Sequence, residues 1–316
     1  MKVEDIYLSS IDFEDDRFRV GNGRPDNALI ESIRQYGIIN PPILKKIDKN
    51  YIFVTGWKRT IAFRSIGDSK LLAKAYDGEE LSDTDFLKIV YLDNKDRYDE
   101  VDKSLLIRKF IELAKLNENQ IRDEILPLLK IPNNKKNLDK YILIGNLSGE
   151  ILDAYYSEKI TFQQVALLSK LKIEGKLEIF NNVVLEFKLN NNEAREVLSE
   201  IEEIVNRDNQ TVSDIIQFIH SRISGSLDKN SFRYELKKLR YPEFVSVENK
   251  YKSLLKELDF PSSINLVCGQ YFEGNDFELR MKVKGSQELK ESLLHINEQI
   301  DNGKIDKLLS IITKGY

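Results

Sequence analysis

Lys58 and Arg59 follow a glycine, Gly56, at the point where the chain changes its hydrophobic period. Residues 51–54, Tyr-Ile-Phe-Val, are β-branched and aromatic, as a buried strand requires. Thr55 and Gly56 end that run. From Trp57 onward Ile61, Ala62 and Ile66 recur at helical spacing. The stretch therefore reads as strand, glycine, helix, with two cations in the first helical turn. The first N–H groups of a helix lack intrahelical partners, and the macrodipole adds partial positive charge there. A glycine lets an anion approach the backbone, and Lys58 and Arg59 supply formal charge. Such a turn can seat a phosphate; the same residues also suit an ordinary strand–turn–helix carrying two solvated cations.

A second group of residues has the chemistry of nucleic-acid contact. Two helical patterns between residues 120 and 147 flank Ile131-Pro132-Asn133-Asn134, and the second begins with Lys135, Lys136 and Asn137 and adds Lys140. Asn and Lys at the front of a helix reach base edges and phosphates in a helix-turn-helix. The alternative is a polar, solvated helix start. A further cationic run, Lys229, Arg233, Lys237, Lys238 and Arg240, lies along one helix and reads as a solvated face.

Composition limits the remaining chemistry. The single cysteine, Cys268, excludes an internal disulfide and a cysteine-rich metal site, and His220 and His295 stand in no ligand-spaced motif. No run of 18 apolar residues is present and the first residues lack a basic-then-apolar leader, so a cytoplasmic protein without a membrane partner is expected. The net charge is −4 and the pI about 5.6, so binding to DNA would rely on local basic patches rather than on global charge. At 316 residues, two or three domains are expected.

The elements that must position these residues follow in order. A strand is expected near residues 6–11, then a Gly/Pro/Asn loop over 21–27. Asp26 is placed to cap a helix over 28–36, which Gly37 ends. Asn40-Pro41-Pro42 imposes an extended lead into a hairpin of residues 43–47 and 51–54. A strand over 71–76 and a helix over 84–92 opened by Ser82 complete a small mixed sheet with helices. From residue 102 the pattern is almost wholly helical: helices are expected over 103–116, 118–129, 135–147, 149–156, 161–171, 173–188, 192–207, 211–224 and 229–239. Arg240-Tyr241-Pro242 reads as a break before a helix over 248–258. Strands over 264–271 and 277–283, joined by a turn at 273–276, precede a helix capped by Ser286 and a last helix over 304–313. This is an α+β chain: a small mixed-sheet N-terminal domain (1–100), a helical domain with a helix-turn-helix (101–171), a helical extension (172–258) and a ββαα C-terminal domain (259–316) whose apolar faces suggest dimerisation.

Three short boxes in this order resemble those of ParB-type partition proteins, whose N-terminal domain shares the sulfiredoxin fold. Gly37-Ile38-Ile39-Asn40-Pro41 is similar to the family's glycine–x–x–glutamine–proline. Gly56-Trp57-Lys58-Arg59-Thr60-Ile61-Ala62 is similar to its glycine–glutamate–arginine–arginine–x–arginine–alanine. Asp93-Asn94-Lys95-Asp96-Arg97 is similar to its glutamate–asparagine–x–x–arginine, and Lys159-Ile160-Thr161-Phe162 resembles the segment after its helix-turn-helix. The resemblance implies a nucleotide-dependent DNA-binding protein, associated with the nucleoid, in which CTP or another nucleoside triphosphate with Mg²⁺ switches the states of a homodimer on DNA, with a ParA-like ATPase as partner. It implies that Arg19, Gly37, Asn40, Pro41, Gly56, Trp57, Lys58, Arg59, Asn94 and Arg97 hold the nucleotide, that Asp93 and Asn94 supply oxygens to Mg²⁺, and that Asn134, Lys135, Lys136, Asn137 and Lys140 meet DNA.

The departures from the family pattern are specific. Trp57 stands where the family has a glutamate, Ile61 where it has an arginine, Lys58 where it has another, and Arg17 where it has a glutamine. An indole and a guanidinium accept no proton, so at most weak CTP hydrolysis is expected. Two other functions use the same fold. A kinase-like or nuclease-like enzyme would need an acid near the phosphate seat, for which Asp15, Asp16 and Asp93 are the candidates. An adaptor would keep the nucleotide pocket without binding DNA.

Overall fold

Residues 51–54 are apolar on both sides of the strand because both faces of that strand are covered. The computed structural model, which describes residues 1–223, 227–268 and 277–313, contains β1 (Lys2–Tyr7), β2 (Ile11–Asp12), α1 (Asn27–Tyr36), β3 (Ile43–Ile47), β4 (Asn50–Thr55), α2 (Trp57–Ser65), β5 (Lys70–Tyr76) and α3 (Asp83–Asn94). The five strands form one mixed sheet in the order β1-β5-β3-β4-β2. β1–β5 and β3–β4 are antiparallel, and β3–β5 and β2–β4 are parallel. On one face Phe53 packs with Ile6, Leu44, Leu71 and Ala73. On the other, Ile52 and Val54 pack against Phe86, Leu87 and Val90 of α3. A strand buried on both faces reads as a continuous apolar run.

That second core continues into the helical segment: α4 (Glu100–Glu112), α5 (Glu118–Gln120), α6 (Leu126–Leu128), α7 (Lys135–Gly145), α8 (Gly149–Tyr156), α9 (Phe162–Lys170) and α10 (Lys176–Ile179). Leu106, Ile107 and Phe110 of α4 and Leu138 and Tyr141 of α7 are buried in the same cluster as Ile52 and Val54. The sheet and these helices belong to one compact unit, Met1–Leu198. The second unit, Ser199–Tyr316, begins within α11 (Asn191–Asp208) and contains α12 (Val212–Arg222), α13 (Lys229–Arg240), α14 (Pro242–Glu257), β6 (Ile264–Cys268), β7 (Phe277–Met281), α15 (Ser286–Asp301) and α16 (Lys304–Thr313). Sequence offers no loop at residue 198, because the helical period runs straight through it.

The fold class is α+β, as the sequence indicates, and the departures are local. The first strand starts at Lys2, and a 3₁₀ turn (Leu8–Ser10) separates it from β2. α4 begins three residues earlier than its apolar period suggests, because Asp99 and Asp102 form a reciprocal capping box. The expected helices over 118–129 and 173–188 each contain a π-helical stretch, Ile121–Ile125 and Phe180–Leu185. Pro242 opens α14 rather than preceding a break, since a proline at the first helical position sacrifices no hydrogen bond. Ser286 lies inside α15, whose N-cap is Gly285. The turn at 273–276 lies outside the described residues.

The tail's hairpin also differs from expectation. Ile264, Leu266, Phe277, Leu279 and Met281 pack with Leu254, Leu255 and Leu258 at the end of α14 and with Ile296 and Leu308 of the tail helices. The hairpin part of the apolar surface assigned to dimerisation is therefore covered within the chain, and the helix part, Leu289, Leu293 and Leu294, is not. On α15 Leu289, Leu293, Leu294 and Ile300 are 37%, 45%, 61% and 48% accessible.

Candidate nucleotide cleft

The glycine between β4 and α2 is there because no other residue fits. Gly56 has φ +88°, and a Cβ on it would lie 2.6 Å from Pro42 Cβ and 2.8 Å from Pro42 Cα. No side chain caps α2, so the N–H groups of its first turn face outward without a capping partner. The proline that forbids a side chain at Gly56 belongs to the Asn40-Pro41-Pro42 lead into β3, so the first two boxes meet there.

Arg59 joins all three boxes. Its Nη1 donates to the carbonyl of Asn40 at 2.6 Å, and its Nη2 donates to Asp93 Oδ2 at 2.7 Å. The guanidinium is only 18% exposed, so this bond is poorly screened and helps fix α2 against the end of α3. Beside it opens a cleft of about 620 Å³, within the range of small-molecule sites. Arg19, Gly56, Trp57, Lys58, Arg59, Asn94 and Arg97 line it. Lys58 and Arg97 form no ion pair among the described residues, so their charges are available to a ligand. Gly37 ends α1 and Pro41 precedes β3; neither they nor Asn40 line the cleft, and Asn40 is tied to it only through Arg59, which donates to its carbonyl.

The expected metal ligands differ in state. Asp93 sits behind Arg59 and is neutralised by it. Asn94 lines the cleft; its Nδ2 donates to the carbonyl of Val90 at 2.9 Å, which leaves its Oδ1 without a hydrogen bond among the described residues. One carboxylate and one amide oxygen beside the uncapped first turn of α2 fit the hard-oxygen needs of Mg²⁺. No group of three or more His, Cys, Asp or Glu residues able to hold a metal exists among the described residues, so phosphate oxygens and water would complete the shell. Asp15 and Asp16, the other candidate acids, pair with Arg17 (2.7 Å) and Arg19 (3.0 Å) and do not line the cleft.

Sequence reasoning missed four residues of the lining. Asp99 and Asp102 of α4, Tyr98 and Tyr156 line the cleft. Tyr155 donates to Asp99 at 2.8 Å, Tyr156 donates to Asp102 at 2.7 Å, and Tyr141 donates to Glu100. Three tyrosines of α7 and α8 thus hold the first turn of α4. Burial pushes the Asp102 carboxyl up to about 6; the Tyr156 hydroxyl opposes that and the Asp99 charge adds to it. Burial likewise raises the Tyr98 and Tyr156 phenols. An acid three residues after Asp99 is the local signal that would have placed the helix start. Nothing local announces Tyr156, which is 54 residues away.

Of the proposed DNA-reading residues, Asn134, Lys135, Lys136 and Asn137 fall at the start of α7 and Lys140 at its middle. Asn134 is its N-cap, accepting from the Asn137 N–H at 2.9 Å, and Asn137 Nδ2 donates to the carbonyl of Pro132 at 3.0 Å. Both amides therefore help build the turn. Lys135 and Lys136 are exposed. Lys140 lies 5.2 Å from the ring centroids of both Tyr141 and Phe162. The other cationic run is internally neutralised: Lys238 pairs with Glu235 at 2.5 Å, Lys237 with Glu248 at 3.7 Å, and Arg240 with Glu200 at 3.4 Å and with Glu203.

Asp102 generates a stability prediction. A carboxyl whose folded value is raised contributes stability that is complete below the unfolded value near 3.8 and is lost as pH rises through about 6. Asp102→Asn should therefore flatten the fall in stability between those pH values and stabilise the protein at pH 7.5, by at most about 3 kcal/mol. Urea unfolding midpoints of both proteins at pH 4 and pH 7.5 check this; an unchanged difference between the two pH values would contradict it.

No family model matches the sequence, and no curated protein matches it either. Solved structures do. The C-terminally truncated chromosome-partitioning protein ParB of Caulobacter crescentus, complexed to the centromeric parS site, is similar at 13% identity over 62% of this chain and 99% of that one, with a TM-score of 0.35. The same truncated protein complexed with CTP-γ-S is similar at 15% identity over 58% of this chain and 99% of that one, with a TM-score of 0.27. A Pnob8-like ParB-N domain is similar at 13% identity over 75% of this chain and 97% of that one, with a TM-score of 0.39.

Proposed function

We propose that the cleft binds a nucleoside triphosphate with Mg²⁺, CTP being the first candidate, and that the chain is a ParB-like DNA-binding protein whose state the nucleotide sets. The observation that carries this reading is the meeting of three boxes, separated by 19 and 34 residues, on one guanidinium beside a cleft lined by Lys58 and Arg97, which form no ion pair among the described residues. Phosphates would lie against the uncapped first turn of α2, where backbone N–H groups, Lys58 and Arg97 meet them. Bound Mg²⁺ would neutralise phosphate charge. Asn94 would offer it an oxygen directly, and Asp93 would do so once Arg59 turned toward the phosphates.

The neighbour bound to the parS site makes DNA the proposed partner, with Lys135 and Lys136 as phosphate contacts. A homodimer is proposed through the exposed Leu289, Leu293 and Ile300 edge of α15; sedimentation equilibrium returning a single-chain mass would remove it. Turnover is proposed to be slow, since the Trp57 indole accepts no proton and Arg17 is paired with Asp15 outside the cleft.

Titration calorimetry of CTP–Mg²⁺ into the full chain tests the site. Lys58→Ala should lose about 1.5–3 kcal/mol of binding energy, the usual worth of a charged hydrogen bond. Arg59→Ala should lose affinity and also lower stability, because it opens the tie to Asn40 and Asp93. Undiminished binding in both variants would reject the site.

For DNA, replacing Lys135 and Lys136 together by Ala should flatten the slope of log affinity against log salt by about two at most. An unchanged slope would move the contact elsewhere.

A further inference from the structure

The side chain that most clearly separates this cleft from the box it resembles is Trp57, and its surroundings give it a task. The indole is fixed from the sheet side: its ring centroid is 4.8 Å from that of Phe53 and 6.4 Å from that of Phe13. Against it lies Arg19, with Cζ 4.9 Å from the indole centroid. The loop closes over the pair with a bare backbone, since a Cβ on Gly23 would lie 3.1 Å from Arg19 Cδ and 3.4 Å from Trp57 Nε1. The backbone that carries Arg19 is tied to α4 by Lys109, whose Nζ donates to the carbonyls of Asp16 and Arg17 at 3.1 and 2.8 Å.

With its backbone tied down, the direction of the Arg19 head group is decided by what it stacks on. Its one ionic partner among the described residues is Asp16, a 60%-exposed carboxylate held by Nη2 alone at 3.0 Å, and such exposed pairs bind weakly. Nε and Nη1 donate to no protein acceptor among the described residues, and the side chain lines the cleft. A guanidinium stacks on an aromatic face while its edge N–H groups stay free to donate.

We infer that Trp57 is a positioning residue: its indole holds the Arg19 guanidinium over the cleft so that Arg19 joins Lys58 and Arg97 in binding a polyphosphate. The inference rests on the proposed triphosphate reading and adds to it. The replacement of the box's acid removes a negative charge from the phosphate seat and in its place orients a cation. Trp57 acts through Arg19 and touches no phosphate itself.

The test uses the full chain, inorganic tripolyphosphate without metal, and titration calorimetry on wild type, Trp57→Leu, Trp57→Phe, Arg19→Ala and the Trp57→Leu/Arg19→Ala double variant. Arg19→Ala and Trp57→Leu should each weaken binding about tenfold, the worth of one charge-assisted contact. Trp57→Phe, which keeps an aromatic face, should stay within about threefold of wild type. The double variant should bind no more weakly than Arg19→Ala. Trp57 is the sole tryptophan, so tripolyphosphate should also change the wild-type emission, and Arg19→Ala should abolish that change; this readout decides the matter should Trp57→Leu fail to fold. Wild-type affinity in Trp57→Leu, losses that multiply in the double variant, or an emission change that persists in Arg19→Ala would overturn the positioning role while leaving the triphosphate site standing. A wild type that binds neither tripolyphosphate nor CTP–Mg²⁺ would overturn the triphosphate reading and this inference with it.

Discussion

One guanidinium ties together three segments that are distant in sequence. Arg59 donates in one direction to a backbone carbonyl of the lead into β3 and in the other to the carboxylate at the end of α3. A lysine could not replace it, because a point ammonium lacks the planar fork that reaches two acceptors at a fixed angle. The bond positions α2, and the position of α2 aims its uncapped first turn at the cleft. Gly56 is the necessary hinge, since Pro42 lies where any side chain would go. The proposed phosphate seat is thus a product of tertiary contacts around a local strand–glycine–helix unit.

The same arrangement divides the charges by role. Arg59 and Asp93 neutralise each other, whereas Lys58 and Arg97 form no ion pair among the described residues and Arg19 is only loosely paired. Another part of the lining is acidic and aromatic. Asp99 and Asp102 belong at once to the cap of α4, to the tyrosines of α8 and to the cleft. A change in the cleft that moves the first turn of α4 therefore acts on α8 through hydrogen bonds rather than across solvent.

What was legible in the sequence is what is local. The β3–β4 hairpin, the strand–glycine–helix turn and the Asp26 and Ser82 caps depend on residues a few positions apart, and each stands where its pattern indicates. The grouping of Gly56, Trp57, Lys58, Arg59, Asn94 and Arg97 around one cleft was suggested by family resemblance, not by periodicity. The acidic part of the lining was illegible because Tyr155 and Tyr156 reach it from more than 50 residues away. The start of α4 was misplaced because Asp at the third helical position closes the capping box where Glu or Gln is the usual signal. The tail's apolar hairpin looked like an interface because its covering partner, α14, precedes it beyond a proline-marked turn that pattern alone does not resolve.

Hydrogen exchange of the full chain, with and without saturating CTP–Mg²⁺, tests the central claim most directly, because it reports on the backbone groups that are proposed to meet the phosphates. The account predicts strong added protection in the first turn of α2, residues 57–60, with smaller gains over residues 19–23 and 93–98, and none over α14 to α16. No change in the first turn of α2, or protection confined to the second unit, would contradict it.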